Sequence, residues 1–270
     1  APWLCISMDV LDWTLFERAN MIASLMMYAR PELEAAHRRY WMLIRDELAA
    51  VGMDSPLELS QNASAFVVWE DPDLVLSQTC GMPYRLRLKD KVTLVGTPDY
   101  GLPDCAAGYY RSPFVVRAND PRTDLRDFKD ATFAFNQPHS QSGYAAPYAH
   151  ARGKGVWFDK LIQTGSHNIS AACVADGRAE IAALDGMTWR LIMQYEPFAK
   201  QLRVLEWTAP TPGLPLITSS RNDPDKVFTA VQNAITRMDP ADKAALHLKS
   251  LVKISKADYL AVPNPPEIKS

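Results

Sequence analysis

The most informative stretch of the chain is Phe133-Ala134-Phe135-Asn136-Gln137-Pro138-His139-Ser140-Gln141-Ser142-Gly143-Tyr144. Its first residues are apolar, which is typical of a buried strand, and its polar centre contains a proline that interrupts regular structure. Ser140 and Ser142 flank the predicted start of a helix over 143–152, where a serine hydroxyl can cap backbone N–H groups. Gly143 removes a side chain where another group must approach the backbone closely. The stretch therefore predicts a strand, a polar loop and a helix in an α/β protein.

A helix start of this kind suits an anion, because free N–H groups and about half a positive charge lie at its N-terminus. The ligand contacts predicted there are Ser140, Gln141, Ser142, Gly143 and Tyr144. A plain serine cap without a ligand is the alternative, and the stretch alone favours neither. A second helix start, Gly165-Ser166-His167-Asn168, adds hydroxyl and imidazole donors, so His167 is predicted to join the same site.

Four other positions follow strands. Asp185 ends the apolar strand 181–184, and ligands of α/β proteins bind at the carboxyl ends of parallel strands. A cap for a helix over 187–193 is an equally good interpretation of Asp185. Gln78 and Thr79 lead from a strand over 74–79 into a helix start at Gly81, and Tyr28 closes the apolar run 21–28. We predict that Gln78, Thr79 and Tyr28 share one strand-end rim of the first lobe; ordinary loop chemistry is the alternative.

Strands alternate with helical segments along the chain, including a helix predicted over 157–164. This alternation predicts mostly parallel sheets covered by helices. Extended segments at 109–117 and 202–219 bracket the middle of the sequence. We therefore predict a discontinuous first lobe (1–115 and 207–270), a second lobe (116–206), a ligand cleft between them and two extended hinge connections. A single continuous α/β domain is the alternative.

Composition excludes several classes of function. Lys and Arg total 29 against 31 Asp and Glu, so the basic excess of a nucleic-acid-binding protein is missing. The sequence contains no apolar run of about 18 residues and none of the phosphate-loop, dinucleotide, zinc-protease or nucleophile-elbow motifs. The four cysteines and five histidines lack metal-binding spacing. We predict no metal, no cofactor and no catalytic residue, and hence a site that binds a ligand without catalysing a reaction.

Together these pieces resemble the phosphate/phosphite/phosphonate-type substrate-binding proteins of ABC transporters, which have the type II periplasmic-binding-protein fold. The resemblance covers roughly residues 21–255 and rests on the order and spacing of Met27-Tyr28, 73–81, 135–144, 165–172, 177–185 and 210–215. It implies the solute-binding component of an importer, a monomer that captures a small oxyanion and delivers it to a membrane permease. An extracytoplasmic sensor domain of the same fold, or an enzyme acting on a small metabolite, are the alternatives.

The resemblance also implies residue roles. Ser140, Gln141 and Ser142 are expected to hold the oxyanion with help from His167, while Tyr28 and Asp185 contribute an aromatic wall and a carboxylate. It implies a periplasmic location, although residues 1–20 lack the pattern of a signal peptide. An oxidising compartment permits a disulfide, and we predict Cys80–Cys105, closing a loop of about 25 residues, with Cys5 and Cys173 free.

Overall fold

A computed structural model describes residues 21–268 and divides the chain into two compact units. The first contains residues 21–78 together with Asp90–Val95 and Leu216–Leu246. The second contains Thr79–Lys89, Gly96–Pro215 and residues 247–268. The predicted lobe boundaries near 115 and 207 fall inside the second unit, so the division into those lobes stays a prediction. Cys5 lies outside the described residues.

Strands and helices alternate through much of the described chain. The strands are β1 (Ile22–Ser24), β2 (Leu74–Gln78), β3 (Val92–Asp99), β4 (Tyr109–Tyr110), β5 (Pro113–Arg117), β6 (Thr132–Phe135), β7 (Lys160–Gln163), β8 (Ile181–Ala183), β9 (Leu202–Trp207), β10 (Thr211–Pro212), β11 (Leu216–Ser219) and β12 (Ser250–Val252). The α-helices are α1 (Glu34–Ala50), α2 (Ala65–Trp69), α3 (Gly81–Pro83), α4 (Ala146–Gly153), α5 (His167–Ala175), α6 (Gly186–Tyr195), α7 (Pro224–Arg237), α8 (Pro240–Ala245) and α9 (Lys256–Ala261). Turns of π-helix over Tyr84–Leu88 and Gln141–Ala145 adjoin α3 and α4.

The first unit is built on a mixed sheet in the order β1, β2, β11 and the beginning of β3. β1 runs parallel to β2, whereas β11 is antiparallel to it. Every residue of β2 is buried, as expected for a central strand that is covered on both faces. α1 packs against α7 in the same unit.

The second unit is built on a sheet in the order β7-β6-β8-β5-β9. The apolar strand β6 is parallel to both of its neighbours, whereas β5 is antiparallel to β8 and β9. The helices that follow β6, β7 and β8 therefore begin near one edge of the sheet, because the carboxyl ends of parallel strands meet there. A short ribbon pairs β4 with β10.

Aromatic side chains fill one core of this sheet. Phe133 stacks on Phe158 with 4.6 Å between ring centroids and packs beside Phe135 and Trp157. Burial of each such ring stabilises the fold by roughly 1.5–3 kcal/mol. A second cluster joins Ala171, Cys173 and Val174 of α5 to the opposite part of the sheet. Packing on these two cores fixes where β6 ends and where α5 begins.

The α/β class is confirmed, with three local differences. The sheets are mixed rather than mostly parallel, because β5, β9 and β11 run against their neighbours. The extended segment 109–117 is broken into β4 and β5. The helix predicted over 157–164 is wrong, because Lys160–Gln163 forms the edge strand β7 in register with β6. Pairing with a central strand outweighs a short helical pattern.

Candidate ligand-binding site

The helix predicted over 143–152 begins two residues earlier, at Gln141, and Ser140 directly precedes it. Ser140 has extended backbone geometry, and its Oγ accepts a hydrogen bond from the Gly143 amide at 3.0 Å, so it is the N-cap. The first turn is a π turn, in which the Ala145 amide reaches back to the Ser140 carbonyl at 3.0 Å. Pro147 follows within the helix and has no N–H to donate, so the wider turn accommodates a ring that would crowd a regular α-helix.

Two amides of this helix start already donate hydrogen bonds. The Gln141 amide donates to Cys80 Sγ at 3.3 Å, and the Gly143 amide donates to the Ser140 hydroxyl. The amide of Ser142 has no acceptor within the described part of the chain. Because a buried N–H group costs free energy when it lacks a partner, the Ser142 amide is the group best placed to meet an anion.

The second predicted helix start lies beside the first. The amides of Thr164 and Gly165 donate to the carbonyls of Phe135 and Asn136, at 2.9 Å each, and so tie the loop before α5 to the end of β6. Gly165 has a φ of +90°, which favours glycine and turns the chain into α5. His167 Nε2 consequently lies 3.0 Å from Ser142 Oγ. The predicted convergence of the two helix starts is thus found in the second unit.

His167 is neutral near pH 7. Burial lowers the pKa of its imidazole to about 4, against a smaller opposing effect of the Ala183 backbone. Nε2 also lies 3.4 Å from Asn136 Nδ2. A neutral ring can accept a hydrogen bond from the Ser142 hydroxyl, or it can donate one to the Ser142 oxygen. When it donates, the Ser142 hydroxyl is available to donate to a ligand.

Gly143 allows a close approach between these elements. A Cβ at this position would lie 1.9 Å from Asn136 Oδ1 and 3.1 Å from His167 Cε1. The side chain that follows β6 (Asn136) and the one that begins α5 (His167) therefore occupy the space that any larger residue would need.

Tyr110 adds a buried hydroxyl to the same place. The residue is 3% exposed, and its hydroxyl has no hydrogen-bond partner of good geometry within residues 21–268. Burial raises the pKa of Tyr110 and is the largest effect. The charges of Cys80 and Asp185 raise this pKa further, while Ser142 and Arg85 lower it. The hydroxyl remains protonated and lies beside Ser142 as an uncommitted donor.

Asp185 is the N-cap of α6. Its Oδ1 accepts from the amides of Met187 and Thr188 at 2.8 Å each, and the residue is 2% exposed. The capping interpretation is thereby confirmed, and a ligand contact through this carboxylate stays a prediction. Its charge acts on the pKa of both Cys80 and Tyr110, so it lies within the same group of side chains.

Residues 76–259 match the family model described as "ABC transporter, phosphonate, periplasmic substrate-binding protein". The chain belongs to this family. Family members bind a small ligand outside the cytoplasm and work with a membrane permease. None of the helices within residues 21–268 is long and apolar enough to cross a membrane.

Solved structures share the type II periplasmic-binding-protein fold with this phosphonate-family chain. PhnD1 from Prochlorococcus marinus in complex with methylphosphonate is 18% identical, with a TM-score of 0.65 over 88% of this chain and 94% of that one. The binding component PA3383 of an ABC phosphonate transporter from Pseudomonas aeruginosa is 17% identical, with a TM-score of 0.64 over 89% and 82%. A histidine kinase sensor domain is 14% identical, with a TM-score of 0.55 over 91% and 97%. No curated protein sequence matches the chain significantly.

Other predicted contacts of this phosphonate-family protein have local roles. Thr79 is fully buried; its amide donates to the Pro215 carbonyl at 3.0 Å, and its hydroxyl lies 3.4 Å from the Cys80 carbonyl. The ring of Tyr144 packs against Phe135 and Trp157 in the aromatic core. Tyr28 and Gln78 are buried in the first unit, where the Gln78 carbonyl accepts from Trp69 Nε1 at 3.0 Å. Their contact with a ligand stays a prediction.

The predicted Cys80–Cys105 disulfide is wrong, since both cysteines are free thiols. Cys80 Sγ is buried and accepts from the Gln141 amide, whereas Cys105 is half-buried with Asp104 and Arg111 as its charged neighbours. The two thiols thus have different surroundings within one unit. Cys173 is free, as predicted. Within the described residues, no group of three or more His, Cys, Asp or Glu side chains could hold a metal ion.

The sequence did not single out Arg85, Tyr110 or Asn136 as contacts. Arg85 is buried, and its Nη2 donates to Gln141 Oε1 at 2.5 Å. The only available sequence signal was the polar character of Asn136 directly after an apolar strand. A separate groove of about 1010 Å³ lies in the first unit, and no predicted site residue is among its lining residues, which include His37, Trp41 and Arg45.

Proposed function

We propose that this phosphonate-family protein captures a small oxyanion, phosphonate-like or phosphate-like, at the start of the helix over 141–153. The observation that carries the proposal is the grouping of donors at Ser142. Its amide lacks an acceptor within residues 21–268, its hydroxyl lies 3.0 Å from His167 Nε2, and the uncommitted hydroxyl of Tyr110 lies beside it. An oxyanion supplies the acceptors that these groups lack.

The residue types suit the oxygens of a phosphonate head group. Amide and hydroxyl donors at a helix start recognise an oxygen that carries negative charge without themselves ionising. The neutral His167 ring adjusts to the hydroxyl of Ser142, because each of its nitrogens can carry the proton. We propose that Ser140, Gln141, Ser142, Gly143 and His167 form the anion-binding part, while Asp185, Thr79, Tyr144, Tyr28 and Gln78 remain proposed contacts around it.

We propose that ligand capture closes two lobes, 1–115 with 207–270 and 116–206, around a cleft. Pairing of the two predicted connections supports this proposal, since Tyr109 and Tyr110 pair with Thr211 and Pro212, and β5 pairs with β9. A paired ribbon lets both connections bend together. Closure would then favour the bound state through contacts that form only around the ligand.

The remaining features of the proposal follow from transport. The protein acts as a monomer, binds no nucleic acid, catalyses no reaction and delivers its ligand to the permease from the periplasm. The near-balance of 29 basic and 31 acidic residues supports the proposal that nucleic acid is not the partner.

Isothermal titration calorimetry tests the proposed ligand class. Methylphosphonate, 2-aminoethylphosphonate, phosphite and phosphate are titrated separately, with acetate as a carboxylate control. We expect saturable binding of at least one phosphorus oxyanion and no comparable binding of acetate. Saturable binding of acetate alone, or of none of the five, would overturn the proposal.

A sensor role is the second candidate, because the fold is shared with a histidine kinase sensor domain. A permease reconstituted in liposomes separates the two functions. A carrier raises ATP-dependent uptake of its ligand, whereas a sensor domain binds the ligand without supporting uptake by any permease.

A further inference from the structure

Arg85 is a buried arginine whose partners are neutral. It lies in the π turn after α3 and is 5% exposed. Its Nη2 donates to Gln141 Oε1 at 2.5 Å, and its Nε donates to Asn264 Oδ1 at 2.9 Å. Both acceptors are amide oxygens, which carry no formal charge to balance the guanidinium.

No carboxylate within residues 21–268 lies within 4.0 Å of this guanidinium. Arg122 in the same unit shows the usual arrangement, in which an arginine is paired with carboxylates. It is less buried than Arg85, and it binds both Asp120 at 2.7 Å and Glu180 at 3.0 Å. Buried charges in proteins are normally paired, since removal of an isolated charge from water is costly. Burial also lowers the pKa of Arg85, because the charged guanidinium is removed from water.

Arg85 lies next to the proposed oxyanion site. A Cβ on Gly81 would lie 3.3 Å from Arg85 Nη1 and 3.9 Å from Gln141 Cγ. The positive charge of Arg85 lowers the pKa of Cys80 and of Tyr110, against the larger effect of burial. Cys80 accepts from the Gln141 amide, and Tyr110 lies beside Ser142. The guanidinium is therefore within electrostatic reach of Gln141 and of Ser142.

We propose that Arg85 is the counter-charge of the bound ligand, which makes the site selective for solutes that carry net negative charge. The inference rests on the proposed function and deepens it. The helix start and the hydroxyls recognise the shape of the oxyanion, and Arg85 balances its charge from the Gln141 side. Binding of the anion then gives Arg85 the charged partner that residues 21–268 do not supply.

Arg85→Gln and Arg85→Lys, compared with the wild type, test this inference. The glutamine keeps a hydrogen-bond donor and removes the charge, whereas the lysine keeps the charge. Lys89→Gln is the matched control, because Lys89 is exposed at the end of the same turn and loses the same charge. Affinity for methylphosphonate is measured by calorimetry, or for phosphate if the wild type prefers it, and the melting temperature of each ligand-free variant is recorded.

We expect Arg85→Gln to weaken binding by roughly 30-fold or more, because loss of one partner of a buried charge pair is costly. Arg85→Lys should recover part of that affinity, and Lys89→Gln should bind like the wild type. The ligand-free melting temperature of Arg85→Gln should fall only modestly, since the variant loses hydrogen bonds to neutral acceptors and no ion pair. Unchanged affinity in Arg85→Gln would overturn the inference. Weaker binding accompanied by a large fall in melting temperature in both Arg85 variants would also overturn it. A wild type that binds no phosphorus oxyanion would instead overturn the proposed function.

Discussion

Ser142 Oγ lies 3.0 Å from His167 Nε2, although the two residues belong to different helices. This contact joins the start of the helix over 141–153 to the start of α5. It exists because the loop before α5 is hydrogen-bonded to the end of β6, which places both helix starts at the same edge of the sheet.

The Ser142 hydroxyl should contribute to affinity more than to stability. We expect Ser142→Ala to weaken methylphosphonate binding by about 1–3 kcal/mol, since a charge-assisted hydrogen bond is lost. Ser140→Ala is the comparison, because the Ser140 hydroxyl caps the helix and its loss should cost about 0.5–2 kcal/mol of unfolding free energy. Calorimetry and urea denaturation of both variants check this. Equal affinity in Ser142→Ala and the wild type would show that the ligand binds elsewhere.

Close packing at Gly143 predicts a steric effect. Gly143→Ala should lower both affinity and stability, because the new methyl group meets Asn136 and His167. Gly153→Ala is the matched control at the end of the same helix, where a Cβ meets nothing within 4 Å. That variant should be neutral or up to about 1 kcal/mol more stable. Wild-type binding by Gly143→Ala would show that Asn136 and His167 can move freely.

The buried imidazole of His167 predicts a loss of stability in acid. Its folded pKa of about 4 lies below the unfolded value of 6.5, so the unfolded chain takes up more protons between these limits. The free energy of unfolding should be highest above pH 6.5 and should fall by up to about 3 kcal/mol as the pH drops towards 4. His37, whose burial also lowers its pKa to about 4, adds a similar loss. His167→Gln should show a shallower fall in urea denaturation at each pH, and an unchanged slope would contradict the assignment.

The two interpretations of Asp185 can be separated by substitution. Asp185→Asn keeps an oxygen that can cap α6 and removes the negative charge, so its melting temperature should change little. If the carboxylate contacts an ammonium group, this variant should lose affinity for 2-aminoethylphosphonate and retain affinity for methylphosphonate. Equal losses of affinity for both ligands would show that Asp185 acts only by capping α6.

Local sequence patterns predicted the parts of the site that depend on neighbouring residues. The Ser140 cap, the start of α5 within one or two residues of the predicted start at 168–169, and the capping alternative for Asp185 all follow from which residue types begin helices. The meeting of Ser142 with His167 followed from the edge at which parallel strands end. The type II periplasmic-binding-protein architecture was implied by the resemblance to the phosphonate-type family, and not by these local patterns.

Contacts between distant segments could not be predicted in this way. Arg85 and Gln141 are 56 residues apart, and neither local pattern indicates that one side chain meets the other. The orphan hydroxyl of Tyr110 depends on burial, which sequence periodicity gives only for long elements. The disulfide prediction failed because spacing and compartment say nothing about the direction of a side chain, and Cys80 faces the Gln141 amide instead.

A crystal structure of the protein with methylphosphonate would show directly where the anion binds. We expect the phosphonate oxygens to lie within hydrogen-bond distance of the Ser142 amide and hydroxyl and of the Tyr110 hydroxyl. A phosphonate bound away from Ser142, or none at saturating ligand, would contradict this expectation.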